Sequence, residues 1–260
     1  MKLCIAHLYP EVLNLYGDRG NIRCMKKRLE WRGLECTVDE LGIGAVRRSA
    51  AGVKTGTPGL TGAAGRSLSQ YDLFFIGGGQ DFEQEILLED LRHGMADEIR
   101  AAVADGKTFL CICGGYQMMG HYYETARGVR CGFIGAVDLY TVGGEKRQIG
   151  NYSFRLGEES GGSIVAGFEN HSGRTYLGSG VKPLGTVLHG SGNNGKDGTE
   201  GVRDRNVFGT YSHGPVLPAN PAFCDKVLET ALYRKYGKCE LEPLDDRFEL
   251  AAHEKAVKRR

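Results

Sequence analysis

Phe109-Leu110-Cys111-Ile112-Cys113-Gly114-Gly115-Tyr116-Gln117 is an apolar run of strand length that ends on a cysteine, turns through two glycines and opens into a helical stretch. This is the layout of a nucleophile elbow, which sets a reactive side chain on a sharp strand-to-helix turn. It predicts a parallel sheet, because open α/β sheets place their sites at the carboxyl ends of parallel strands. Small neighbours are needed where the backbone of the nucleophile is tight and strained. The dipole of the following helix lowers a thiol pKa, and the Gly114 N–H is placed to serve an oxyanion. Cys113 is therefore the candidate nucleophile, and Cys111 is read as core. A lone cysteine before a Gly-rich turn is more often a buried core residue; the flanking pattern reverses that preference here.

Outward from the elbow, strands and helices alternate. Leu3–Leu8 reads as the first strand, and Asn21–Trp31 as a helix carrying Ile22, Met25 and Leu29 on one face, with Gly33 as its stop. Leu34–Leu41, Tyr71–Ile76 and Thr108–Ile112 read as strands, and Met95–Ala104 as a helix ended by Asp105-Gly106. Alternation of this kind implies a parallel sheet covered on both faces. The Gly-, Ala-, Ser- and Thr-rich stretch 45–70 reads as a flexible insertion. From Ile149 the pattern changes: Ile149–Leu156, Ser163–Phe168, Val181–His189 and Val207–Ser212 read as strands, Gly190–Gly201 as a surface loop, and Asn220–Tyr236 as a helix. The expectation is one domain over 1–260, an α/β flavodoxin-like three-layer sandwich with a strand-rich second half.

Hydrophobic residues make up 41% and charged residues 25% of the chain, a globular balance. No apolar run approaches the roughly 18 residues of a membrane span, and the start lacks the layout of a signal peptide, so a cytoplasmic protein is expected. A net charge of +1 predicts no polyanionic partner. Lys255, Lys258, Arg259 and Arg260 form a basic end, read as a solvated tail in preference to a contact with an anionic membrane face or a partner. The 8 cysteines include no Cys-x-x-Cys pair, so no metal site is expected.

Two further blocks carry possible chemistry. Gly209-Thr210-Tyr211-Ser212-His213-Gly214-Pro215 places a histidine just past a short apolar strand, and a Cys–His pair activates a thiol by proton transfer. His171 and His189 compete for that role. Phe75-Ile76-Gly77-Gly78-Gly79-Gln80-Asp81 ends a strand in glycines, whose backbone N–H groups can approach a ligand closely. Gly106-Lys107-Thr108 has the look of a phosphate loop, but Ala101 stands where a glycine is required, and the motif precedes a strand rather than following one.

In this order the three blocks resemble the class I glutamine amidotransferases, and the stretch Ile112–Gly120 with Gly209–Gly214 is most similar to their cobyric-acid-synthase branch. Leu13-Asn14-Leu15-Tyr16-Gly17-Asp18-Arg19-Gly20-Asn21-Ile22, Gly167–Thr175 and Gly190–Asn194 extend the resemblance to the GatD family of lipid II isoglutaminyl synthase subunits over nearly the whole chain except 45–66 and the last few residues. The resemblance implies Cys113 as nucleophile and His213 as base. It implies an oxyanion hole from the backbone of Gly78, Gly79 and Gly114, and substrate binding by Arg147 and Gln117. It further implies L-glutamine as substrate and a MurT-like, Mur-ligase-related synthetase partner that amidates D-glutamate of lipid II. ATP and magnesium are expected on that partner and no cofactor in this chain. The place of action is then cytoplasmic, at the inner face of the membrane where lipid II stands.

Two positions depart from the class I pattern. Cys111 replaces a glycine two residues before the nucleophile, and Pro215 stands where a triad glutamate usually follows the histidine. No acid occurs in 206–220, so an orienting carboxylate comes from elsewhere in the chain, from a partner, or not at all. Three other assignments fit the same residues: a subunit serving another synthetase such as a cobyrinate-amidating one, a stand-alone γ-glutamyl hydrolase, and a non-catalytic scaffold.

Overall fold

A computed structural model describes residues 1–46, 67–79 and 87–258 of the chain. In chain order the principal elements are β1 (Lys2–Leu8), α1 (Arg19–Trp31), β2 (Glu35–Leu41), β3 (Leu73–Ile76), α2 (Ala96–Ala104), β4 (Thr108–Ile112) and α3 (Gly114–Met118). There follow β5 (Tyr122–Glu124), β6 (Arg130–Gly132), β7 (Leu139–Leu156), β8 (Ile164–Leu177), β9 (Gly185–His189), β10 (Thr199–Glu200), β11 (Val202–Asp204), β12 (Val207–Thr210), α4 (Pro221–Tyr236) and α5 (Arg247–Lys258).

The first sheet runs β11-β12-β4-β3-β1-β2. Its five strands from β12 to β2 are parallel, and β11 is an antiparallel edge. The order of the parallel strands is that of the flavodoxin-like α/β folds. The central strands β3 and β4 are buried along their full length, as a sheet covered on both faces demands. Phe74 and Phe109 stack across adjacent strands with centroids 4.5 Å apart. Strand order reverses between β1 and β3, so the segments leaving those two strands diverge and open a crevice, where such folds bind their ligands.

The strand-rich half forms a second sheet, β10-β9-β7-β5-β6, with β8 paired antiparallel to β7. The strand expected at Ile149–Leu156 is much longer, because β7 continues back to Leu139 through a register shift between Gly143 and Gln148. The Gly-rich, charged stretch 143–147 hides this from period-2 reading: it is the bulge itself. Gly190–Gly201 is not simply a surface loop. Asn193, Asn194 and Glu200 are buried in it, and Asn193 exchanges hydrogen bonds with the Gly201 backbone at 2.8 and 2.9 Å. Most of the stretch 45–70 lies outside the described residues, but Ala45, Val46 and Leu68 at its edges are buried.

The segment that leads into α5 is tied to α1, while Lys255 and Lys258 on α5 are exposed. Arg28 on α1 is buried and held by Asp225 on α4 and by Asp246, each at 2.6 Å, and α5 then carries Lys255 and Lys258. A buried guanidinium with two carboxylates satisfies its fork of donors, which an isolated buried charge could not. No helix among the described residues is long and apolar enough to cross a membrane.

Candidate active site

Three strand ends meet. In register, Ile76 of β3 lies opposite Cys111 of β4, and Thr210 of β12 lies opposite Ile112. The Gly77–Gly79 loop, Cys113 and His213 therefore leave neighbouring parallel strands at the same carboxyl edge.

Cys113 has φ +47° and ψ −102°, a backbone state that non-glycine residues rarely adopt. The strain is held by its neighbours: the Cys113 N–H donates to Thr210 O at 2.8 Å, and its carbonyl accepts from Gln117 N at 2.9 Å. Such strain turns the side chain out of the strand line, as an elbow requires. Gly115 donates to Gly77 O at 3.1 Å, and any side chain on Gly115 would collide with Ile76 and the Gly77 backbone. Close approach of helix to loop is what demands glycine there. Cys111 is fully buried, and burial pushes its thiol well above the ordinary range, so it is an inert core residue.

His213 is 1% exposed and its main chain is clamped by the second sheet. Its N–H donates to Phe168 O at 2.8 Å, and its carbonyl accepts from Phe168 N at 3.4 Å. Burial, with further electrostatic contributions from His171 and the Arg147 guanidinium, presses the imidazole down to about 3. Neither ring nitrogen has a hydrogen-bond partner among the described residues. The ring lies against Gly78, where an added Cβ would come within 2.7 Å of its Cε1. Tyr16 covers it edge-on at 4.8 Å.

The competing histidines separate. His189 ends β9 exposed to solvent. His171 is buried and stacks on Tyr211 at 3.6 Å, its Nδ1–H donating to Gly173 O at 2.8 Å and its Nε2 standing 3.7 Å from Glu169. Gln117 is buried on α3 and donates to the Tyr211 hydroxyl at 3.0 Å, and that hydroxyl meets Thr175 Oγ1 at 2.6 Å. His171 thus sits in a packed polar cluster, within electrostatic reach of His213.

Arg147 projects from the β7 bulge. Its Nε donates to Asn170 Oδ1 at 2.7 Å and its Nη2 to Asn170 O at 3.1 Å, and Asn170 Nδ2 in turn donates to the Tyr16 hydroxyl. The bulge brings a strand residue into electrostatic reach of His213 from the other sheet.

Asp18 was not singled out from sequence, although the segment holding it was. It is fully buried beside the glycine loop, and its Oδ2 accepts the Gly78 N–H at 2.6 Å. Burial pushes its carboxyl up to about 7, against the pull of that N–H. A buried acid ahead of a helix reads as an N-cap in sequence, but its side chain makes no cap bond here.

Comparison with known proteins shows the family. The model of the CobB/CobQ-like glutamine amidotransferase domain matches residues 4–221. The chain is 36% identical over 258 residues to the lipid II isoglutaminyl synthase (glutamine-hydrolyzing) subunit GatD of Staphylococcus aureus, covering 99% of this chain and 96% of that protein. To the GatD subunit of Streptococcus pneumoniae it is 38% identical over 238 residues, covering 91% and 83%. Among solved structures it is similar in fold to that of PurLQS from Thermotoga maritima, with TM-score 0.57 at 18% identity over 92% of this chain and 100% of that one.

Proposed function

Because the chain belongs to the CobB/CobQ-like glutamine amidotransferase family, and is thus a glutamine-hydrolysing amidotransferase subunit, we propose that it releases ammonia from L-glutamine for a synthetase that amidates lipid II. Near full-length similarity to two GatD subunits carries the acceptor side of this reading. The strained Cys113 and the buried His213, which leave adjacent parallel strands at the same sheet edge, support the chemistry.

The neutral imidazole of His213 takes the Cys113 thiol proton, and the sulfur attacks the side-chain carbonyl of glutamine. Backbone N–H groups of the glycine loop and of Gly114 are the proposed source of oxyanion donors, each worth about 3 kcal/mol of barrier; of the loop, the Gly78 N–H expected for this role is already donated to Asp18. Protonated His213 gives its proton to the departing ammonia, leaving a glutamyl thioester. Water activated by the same imidazole then releases glutamate. Gln117 is proposed to bind substrate, its side chain being held by the Tyr211 hydroxyl.

Arg147 is proposed to bind the α-carboxylate of glutamine with its planar fork. Its contacts to Asn170 pre-orient the guanidinium, and a lysine could not reproduce a bidentate grip. Arg147→Lys is expected to raise the glutamine KM about 10-fold, the worth of roughly one charge-assisted hydrogen bond, with kcat changed less. An unchanged KM in steady-state glutamate release would remove Arg147 from the site.

The partner is proposed to be a MurT-like, Mur-ligase-related subunit that binds ATP and magnesium and activates the D-glutamate α-carboxylate at the cytoplasmic face of the membrane. No cofactor is assigned to this chain. Both ring nitrogens of His213 lack a partner among the described residues, so a carboxylate from the synthetase completes the site. An orienting acid is worth up to ~10⁴-fold in turnover. Glutamate release is therefore expected to be weak for the chain alone and to rise at least about 10-fold with the synthetase. That rise should be lost when the synthetase acid nearest His213 becomes alanine. Equal rates in all three conditions would show a self-sufficient site. Co-purification of the chain with a cobyrinate-amidating enzyme instead would reassign the acceptor.

A further inference from the structure

The turn Leu13–Asp18 leaves β1 at the point where strand order reverses, and it is moulded to the glycine loop that leaves β3. A side chain on Gly77 would collide with the Leu13 carbonyl, and one on Gly78 would lie 3.2 Å from Asp18 Oδ2. Both polar groups of Gly78 are taken by this turn: its N–H donates to Asp18 Oδ2 at 2.6 Å, and its carbonyl accepts from Leu15 N at 3.1 Å.

We propose that Asp18 is a positioning residue for glutamine hydrolysis, which fixes the loop so that the Gly79 N–H, rather than the Gly78 N–H, joins Gly114 as oxyanion donor. The inference rests on the reading of Cys113 as nucleophile.

The argument is one of peptide planes. In a trans peptide the C=O and the following N–H point in opposite directions, and no cis bond is present among the described residues. The Gly77 carbonyl accepts from Gly115 N at 3.1 Å, on the nucleophile's helix, so the Gly78 N–H points the other way, to Asp18. The Gly78 carbonyl points to Leu15, so the Gly79 N–H points away from the Leu13–Asp18 turn. Among the described residues, neither the Gly79 N–H nor the Gly114 N–H has an acceptor. A single N–H spent on a buried carboxyl cannot also serve an oxyanion, and a negative charge on its far side would oppose one. Asp18 therefore acts through the loop, holding the 77–78 peptide against rotation while the neighbouring peptide keeps its donor free. Its Oδ1 has no partner among the described residues, so the Gly78 N–H is the bond that anchors this buried group.

The test uses the full chain, alone and with its synthetase, and glutamate γ-semialdehyde, whose aldehyde adds to the Cys113 thiol and places an oxygen anion in the hole. In the unaltered protein, aldehyde binding is expected to shift the backbone amide resonances of Gly79 and Gly114 and slow their hydrogen exchange, leaving Gly78 unchanged. Asp18→Ala is expected to lower kcat about 100-fold, the size of one lost oxyanion donor, with the glutamine KM within about twofold and aldehyde affinity falling in step with kcat. Asp18→Asn keeps an acceptor oxygen for the same N–H and is expected to recover turnover to within about 10-fold of the unaltered enzyme. The proposal is overturned if Gly78 is the amide that responds to the aldehyde, if Asp18→Ala leaves kcat unchanged or raises it, or if the loss lies in KM alone. The amide measurement needs no variant and decides the question even where Asp18→Ala fails to fold. Failure of the nucleophile reading shows separately, as an aldehyde that does not add to Cys113.

Discussion

Cys113→Ala is expected to lower glutamate release by about 10⁴-fold or more, the scale on which a covalent nucleophile fails when its sulfur or hydroxyl is removed. The residue has no substitute at the elbow. Cys111 is fully buried within β4 with its thiol proton held tightly by burial, so it cannot take over the attack. The fold is expected to survive, because alanine fits wherever the cysteine backbone is already accommodated and the φ of +47° is imposed by bonds to Thr210 and Gln117 rather than by the thiol. Circular dichroism and a melting curve close to those of the unaltered protein would establish that. Cys111→Ala, by contrast, is expected to keep turnover within about threefold while losing some stability, since it removes packed volume from a full core. Substantial glutaminase activity in purified Cys113→Ala would sink the assignment, and a folded but inactive Cys111→Ala would move it to the other thiol.

His213→Ala is expected to lower kcat about 10²–10⁴-fold, the range that positioned acid–base groups supply. The same substitution at His189 is expected to have little effect, because that side chain stands in solvent at the end of β9. His171 is a different control: it packs on Tyr211, so its loss is expected to disturb the pocket while leaving a measurable pH-independent remainder. The protonation state of His213 offers a second check. Burial presses it to about 3, well below the ordinary 6.5, so the resting imidazole stays neutral from pH 8 down to pH 5 and is ready to accept a proton. Imidazole carbon and nitrogen shifts for His213 should therefore be flat across that window in the chain without substrate. A midpoint near 6.5 would mean that the ring is hydrated and the site open. Near-normal turnover of His213→Ala would hand the base role to His171.

The three blocks proposed to carry the chemistry were legible because each is local. An apolar strand, a reactive residue and a glycine turn lie within a few positions of one another at Ile112–Gly115, at Thr210–Gly214 and at Ile76–Gly79, and short-range periodicity marks them. β1, α1, β2, β3, β4 and α4 follow the same logic, and each appears within a few residues of where its pattern places it. The second sheet was harder to read. β7 is one strand of 18 residues, but its bulge interrupts the alternation that would reveal it, and β5, β6 and β10 are too short to show a period at all. The stretch 190–201 has the composition of a loop, and Gly195–Gly198 do face water, but its asparagines Asn193 and Asn194 are buried and bond to the backbone.

What the sequence determined by itself is the parallel α/β sheet, the elbow at Cys113, and a histidine and a glycine loop available to it, since these depend on neighbours along the chain. Tertiary structure decided which groups face one another. Asp18 and Gly78 are separated by 60 residues and meet because β1 and β3 are adjacent in the sheet. His213 is fixed by Phe168 across two sheets, and Arg147 reaches Asn170 through a bulge whose register no linear pattern encodes. Strand register and crossover order are set by the packing of the whole core, and a carboxyl group can anchor a loop far from it in sequence once burial leaves it a single N–H to bind.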